Sequence, residues 1–340
     1  MVCRPLVWLA LVAAACSEQS HEVREFGGPT MGSTYTVKFV GDAAVADLRA
    51  IVEQELAAHD AAFSQWRTDS EIARVNAHAS TEPLVVSELF AKVLRQALAV
   101  AGVTDGAFDP TVRPLSELYR AAKRDPRHPL DDAALDRARE HVGWQLVSLR
   151  DNTLVKARPD VQLDLDGIVA GACADAIAAR FAPLRLQGFY LEITGEVLCR
   201  GDKGALGPWR IGVVDPASVS ATGDADAGLR VVALHDAALC TSGDYRNGFV
   251  RDGVPMHHVF DPRTGRNPAA AVASASVLAP SAALADAFAT AFLVLGSDGV
   301  AANWPRFARF GLRGTLLLMP PAAGEERLRQ FEIAWPKDNS

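Results

Sequence analysis

The sequence predicts an α+β fold, with mixed or antiparallel sheets and helices packed against them, built as one continuous unit. Two observations carry this. Segments of alternating, β-branched composition between residues 145 and 319 are joined mostly by short, Gly-containing turns, as in antiparallel pairing. Helical apolar spacings are interleaved with them, but too few stand between successive strands to build a doubly wound parallel sheet. No fixed-period repeat or linker divides the chain.

The elements follow in order. Residues 34–40 (TYTVKFV) alternate and read as a strand. Residues 44–61 carry Val45, Leu48, Val52 and Leu56 at helical spacing. Ser87 can cap a helix over 88–103 that Gly102 helps to end, and 131–141 is a weaker helix. The segment GAFDPTVRPL (106–115) reads as extended or turn-rich from its Pro and Gly. VQLDLDG (161–167) is predicted as a short strand entering a turn, with a helix over 168–184. GFYLEIT, EVLCRG and WRIGVVD read as strands, and RVVALHD with ALCTSGDY as the strands of a hairpin. Residues 216–228 form a Ser/Ala/Asp/Gly loop. SASVLAP is a strand, 284–295 a strongly apolar helix and RGTLLLM a late strand.

Composition narrows the function classes. Hydrophobic residues make up 49% of the 340 and charged residues 22%, which excludes a disordered or collagen-like chain. The formal charge of −7 and the lack of a basic run exclude nucleic acid as a partner. Beyond its opening residues, the chain contains no apolar run of the ~18–20 residues that span a bilayer. The opening, MVCRPLVWLALVAAACSEQSHE, has a basic Arg4, an apolar stretch over 6–15 and small residues before Cys16. That is the pattern of a secretory signal. Cys16 in that place is similar to the lipidated cysteine of a bacterial lipobox, although Ala13 stands where Leu is usual; ordinary secretory cleavage remains the alternative. The expected organisation is a signal peptide over 1–15, a tether over 16–30 from lipidated Cys16, and one folded unit over 31–335. The protein is then expected in the bacterial cell envelope, anchored in the lipid membrane and facing the periplasm or exterior. Ser17 after the cysteine favours the outer membrane by analogy. Cys173, Cys199 and Cys240 show no metal spacing and read as buried thiols.

Four segments carry chemistry. TSGDYRN (241–247) puts small residues before a charged aromatic turn, and taken alone is equally a plain β-turn. HHVFDPRTGRNP (257–268) gathers two histidines, Asp261, Arg263 and Thr264 around a Pro/Gly turn. LDLDGIVAG sets Asp164 and Asp166 two apart, then Gly167 and Gly171 at a helix start that suits a phosphate or mere tight packing. LADAFATAFLVLG (284–296) interrupts an apolar helix with Asp286 and Thr290, four apart and so on one face. A carboxylate there must be paired, cap locally or bind metal, and these oxygens suit Mg²⁺ better than zinc.

These segments, with MGSTYTV, FSQWRTDSEIARVNA, DGAFDPTVRPL and YLEITGEVLCRG, resemble in wording and order the ApbE-type FAD:protein FMN transferases, from Met31 to about Met319. The resemblance implies an ApbE-like fold, a single catalytic unit that uses FAD as substrate together with Mg²⁺. It implies transfer of FMN from FAD to a Thr or Ser hydroxyl of an acceptor flavoprotein, with release of AMP. Acceptors would be subunits of membrane redox complexes. By position, Asp286 and Thr290 would be side-chain metal ligands, with the carbonyls of Gly167 and Ala289 completing the protein part. Met31, Trp66, Gly106, Ala107, Phe108, Asp164 and Ala170 would lie against FAD. The turn Ser242, Gly243, Asp244 and Tyr245 would line the flavin site, and His258 would be the general base, with adjacent His257 as the alternative.

The chain departs from the family's usual DLGGIAKGYAVD at Asp166, Ala170 and Ala172, so the common Lys is lost at Ala170. Without a basic run, binding of the anionic substrate would lean on Mg²⁺. The acceptor motif of the family, D-x-x-[TS]-G-A-[TS], has no copy in the chain, so self-modification is not expected. Two other readings use the same site: a flavin-binding lipoprotein without transfer, and a Mg-dependent FAD pyrophosphatase with water as nucleophile.

Overall fold

Strand β1 (Arg24–Thr30) opens the computed structural model, which describes residues 22–125, 127–128, 130–214, 228–243, 249–251, 254–256, 259–268, 272–321 and 328–337. Through a turn at Met31 and Gly32, both with positive φ, it enters β2 (Ser33–Val40). Residues 24–30, expected as the end of a tether, instead pair with β2 residue for residue, because Phe26 packs on Tyr35 and Phe39 in the core. Cys16 and the signal segment lie outside the described residues.

Helix α1 (Val45–Phe63) forms where the apolar spacing put it, and α2 (Glu71–Ala77) follows, capped by Ser70. After β3 (Leu84–Val85) comes α3 (Glu88–Val103), whose cap is the expected one: Ser87 Oγ accepts the Phe90 N–H at 3.1 Å. Helix α4 (Arg113–Arg124) corrects the reading of residues 106–115 as wholly extended or turn-rich. Pro114 sits in its first turn, where the missing N–H leaves no bond unmade. Asp131 caps α5 (Asp132–Arg139).

Strands β4 (Val147–Arg150) and β5 (Thr153–Lys156) join β3 in a small sheet. Residues 161–165 are not the expected strand. Their backbone is satisfied by side chains: the Leu163 N–H donates to Asn76 Oδ1 at 2.6 Å, and Asn76 Nδ2 donates back to the Leu163 carbonyl at 2.9 Å. Helix α6 (Asp166–Phe181) follows, then β6 (Gly188–Ile193), β7 (Glu196–Gly201), β8 (Trp209–Val214), β9 (Gly228–Leu234) and β10 (Ala237–Gly243). The short ribbon β11 (Phe249–Arg251) and β12 (Val254–Met256) precedes β13 (Ser274–Ala279). The chain ends with α7 (Ala282–Arg309), broken at Gly296, then β14 (Gly314–Met319) and β15 (Arg329–Ile333).

The main sheet runs β1-β2-β6-β7-β10-β13-β14-β15, every neighbour antiparallel. Alternation along its strands feeds two cores. Leu198, Cys240, Val277 and Leu317 face α1, α3, α6 and α7, while Val197, Leu239, Leu278 and Leu316 face the β8–β9 ribbon. The expected β9–β10 hairpin is therefore not formed. β9 turns away to pair with β8 because Trp209, Val232 and Leu234 are buried on the sheet's second face, and β10 enters between β7 and β13. Residues 166–184 and α7 are long and apolar enough to cross a membrane by length and composition, yet half or more of each is buried in this core.

Candidate active site

A cleft of about 670 Å³ opens where the start of α6, the middle of α7, the end of β10 and α4 converge. The start of α6 is built by Asp164, whose Oδ1 accepts the Asp166 N–H at 3.1 Å and turns the chain. Gly167, with φ −83° and ψ 19°, sits at that turn before the regular helix begins. A Cβ there would press on Thr290 Oγ1 at 3.1 Å and on the Phe108 ring at 3.3 Å, so glycine brings the backbone against Thr290. One turn on, the Gly171 N–H donates to Asp286 Oδ2 at 3.2 Å. Thr290 Oγ1 and Ser242 Oγ are hydrogen bonded at 3.2 Å.

Asp286 is 5% exposed, and among the described residues no cation reaches it. Burial pushes its carboxyl up to about 7, the Gly171 N–H holds it down, and the charge of Asp166 adds to the rise. Asp166 is raised in the same direction by desolvation at the cleft mouth and by the charge of Asp164, with Arg120 opposing, but its side chain is 56% exposed and water tempers the shift. Arg120 Nη2 lies 3.2 Å from Asp166 Oδ2 and 3.5 Å from Asp164 Oδ2.

A cation fits this place by donor chemistry. A buried carboxylate with one hydrogen bond, a hydroxyl and a backbone cradled without a Cβ are all hard oxygen sources. Among the described residues no group of three or more His, Cys, Asp or Glu is placed to hold a metal ion by itself.

The rest of the cleft suits a flat, anionic ligand. Ser116, Tyr119, Arg120 and Lys123 reach it from α4 at helical spacing, so two cations share its wall. Tyr119 stacks on Phe260 at 5.0 Å, fixing α4 against the 259–262 loop. Trp66, in the α1–α2 connection, stands at the rim 85% exposed, its ring face open.

Of the expected site residues, Trp66, Ala107, Phe108, Asp164, Gly167, Ser242, Gly243, Asp286 and Thr290 line this cleft. Met31 lies in the β1–β2 turn, packed on the core, and Ala170 is half-buried on α6. Ala289 is enclosed within the core. Gly106, at φ 78°, borders a separate hollow of about 170 Å³ with Trp144 and Arg263. Asp244, Tyr245 and His258 lie outside the described residues. Arg120 and Lys123 were missed, although Ser116, Tyr119, Arg120 and Lys123 already stand at 0, 3, 4 and 7 in the sequence. Glu196, the first residue of β7, is a further cleft residue that no motif had flagged as a site residue. Asp261 clamps Arg263 with two side-chain bonds of 2.8 Å and holds its own turn.

A buried oxygen-lined niche beside a cleft whose wall carries Arg120 and Lys123 among its carboxylates suits a phosphorylated ligand. Residues 31–308 match the ApbE family, and the chain belongs to it. It is 33% identical over 292 residues to an FAD:protein FMN transferase of Vibrio cholerae, covering 85% of this chain and 86% of the relative. It is 34% identical over 303 residues to the FAD:protein FMN transferase of Haemophilus influenzae, covering 86% of each. The fold superposes on the Pseudomonas stutzeri flavinyl transferase ApbE, apo form, with TM-score 0.78 and 30% identity over 92% of this chain and 94% of that one. The flavin transferase ApbE of Vibrio cholerae gives TM-score 0.76 at 29% identity, covering 92% and 97%.

The Asp286 environment makes a measurable demand. Its carboxyl holds a proton up to about 7 in the metal-free fold, against about 3.9 in the unfolded chain. Between those values the folded state binds the extra proton, so this group makes stability fall as pH rises, and the raised Asp166 carboxyl acts in the same direction. Asp286→Asn should lessen that slope between pH 4 and 7 in metal-free thermal melts and remove any rise in Tm that added Mg²⁺ gives the parent at pH 8. An unchanged slope, or an unchanged Mg²⁺ response, would remove Asp286 from the role.

Proposed function

We propose that the cleft binds FAD and transfers its FMN half to a Thr or Ser hydroxyl of an acceptor flavoprotein, releasing AMP. Membership of the family supports the transferase class, and the observation that carries the site is the Gly167–Thr290–Asp286 oxygen niche facing Arg120 and Lys123 across one cleft. A new P–O bond forms to the acceptor hydroxyl, the P–O bond to AMP breaks, and AMP carries off the electron pair.

Asp286, Thr290 and the carbonyl of Gly167 would hold Mg²⁺, with the carbonyl of Ala289 as the fourth protein ligand. Bound there, the ion supplies charge neutralisation to the pyrophosphate. Arg120 and Lys123 draw the anionic ligand into an otherwise acidic chain. Trp66 offers a ring face for stacking at the rim. Ser242 fixes the Thr290 hydroxyl through their hydrogen bond, leaving a lone pair for the cation. His258 takes the proton of the acceptor hydroxyl, a task suited to an imidazole titrating near neutrality.

The direct test mixes the protein with FAD, Mg²⁺ and a flavoprotein domain carrying the acceptor motif. Covalent flavin fluorescence on a denaturing gel with AMP in solution is the expected result, and His258→Ala should lower kcat by ~10²–10⁴. FMN and AMP without labelled protein would instead identify a pyrophosphatase. Tight FAD binding without either product would identify a flavin-binding protein.

Arg120→Ala is expected to raise the KM for FAD about tenfold while kcat changes less, the pattern of a lost binding contact. An unchanged KM would leave Arg120 a partner of Asp164 and Asp166 alone.

The acceptors belong to membrane redox complexes, and the enzyme meets them at the cell envelope through lipidated Cys16. Cys16→Ser should move the protein from the membrane to the soluble fraction of a bacterial host and end incorporation of labelled palmitate. Unaltered membrane retention would defeat the anchor.

A further inference from the structure

Helices α6 and α7 face each other in rungs one turn apart. Gly167 meets Thr290, Gly171 meets Asp286, and Asp175 meets the first residues of α7. The positions 167, 171 and 175 ascend α6 in steps of four while 290, 286 and 282 descend α7 in the same steps, as antiparallel helices require. The first two rungs carry the oxygen niche. The third carries no ligand, yet it is the most heavily bonded. Asp175 Oδ1 accepts the Ala282 N–H at 2.9 Å, and Oδ2 accepts the Ala283 N–H at 3.0 Å and the Ser281 hydroxyl at 2.6 Å.

An ordinary helix start does not need this. Ser281 already caps α7 locally, its Oγ accepting the Leu284 N–H at 3.3 Å. A second cap, reaching across from another helix, adds what a local cap cannot: a fixed axial position of one helix against the other. The close contact at Gly171 sets how near the helices lie, but a smooth apolar face resists sliding weakly. Three charge-assisted bonds at the end of α7 resist it strongly. A slide of α7 would part Thr290 from Gly167 and Asp286 from the Gly171 N–H together.

We propose that Asp175 is a positioning residue for the cation site, fixing the axial register of α7 on α6 so that Asp286, Thr290 and the Gly167 backbone stand in one place. The proposal rests on the cation reading given above. Asp175 does not line the cleft, so it acts through α7 and not by touching FAD.

The test titrates Mg²⁺ into the metal-free full protein by calorimetry and by thermal shift, and measures FAD binding by flavin fluorescence without metal. Outer partners of a metal site carry about 10–100-fold of its affinity. Asp175→Ala should therefore weaken Mg²⁺ binding about 10–100-fold and leave metal-free FAD binding within about twofold. Asp175→Asn keeps one accepting oxygen and should fall between, and it serves if the alanine variant does not fold. Either folded variant with a lowered Tm and unchanged Mg²⁺ affinity would reduce Asp175 to a plain cap and overturn the proposal. Separately, the parent showing no Mg²⁺ response, or Asp286→Ala binding Mg²⁺ as the parent does, would defeat the cation reading itself. A parent that binds Mg²⁺ through Asp286 while both Asp175 variants also bind normally defeats only the positioning role.

Discussion

The approach of α6 to α7 at Gly171 is so close that a Cβ on that residue would lie 2.3 Å from the Ala282 carbonyl oxygen. The cleft depends on that missing methyl. With any larger residue the two helices must part, and the Gly171 N–H loses the Asp286 carboxylate that it now solvates. A buried carboxylate is costly without such a donor. The same long helix ties down the other side of the cleft. From its second half, Arg306 bonds Asp105 at 2.8 Å and the Gly102 carbonyl at 2.7 Å, holding the turn that leads into Ala107 and Phe108. One helix thus registers the oxygen niche at its front and the Phe108 wall at its back.

Local chemistry was legible wherever one residue type decides a local structure. Ser87 caps the helix its position announces, and Asp286 with Thr290 declares a polar stripe in an apolar helix by spacing alone. The failures are places where partners far away in the chain decide. Residues 161–165 look like a strand, but Asn76 supplies the bonds that a neighbouring strand would make. β9 and β10 are two residues apart and look like a hairpin, but the burial of Trp209 and Leu234 on the second sheet face sends them to different partners. Helix α4 was hidden because Pro114 reads as a breaker when its position in the helix is unknown. Hiding α4 also hid Arg120 and Lys123, so the cleft looked poorer in positive charge than it is.

Charge in this protein is placed rather than plentiful. The chain is acidic overall, and much of its cation supply is spent on surface pairs such as Arg67 with Asp69, which contribute little to stability. The two cations that α4 delivers to the cleft stand against five acidic side chains there, Asp109, Asp164, Asp166, Glu196 and Asp286. That surplus of negative charge does not by itself favour an anionic ligand, and Arg120 and Lys123 are the cleft groups that offset it.

The order of the main sheet, β1-β2-β6-β7-β10-β13-β14-β15, never runs backwards along the chain. A polypeptide emerging N-terminus first can add each strand to the free edge left by the one before, with no strand inserted between two already joined. The growing edge stays open until β15 arrives with Arg329, Gln330 and Glu332, polar side chains that discourage further pairing. Asp286 and Thr290 follow β13 in the chain, so the oxygen niche is completed among the last steps of assembly. A chain stalled just before residue 286 has six of the eight sheet strands and lacks both Asp286 and Thr290.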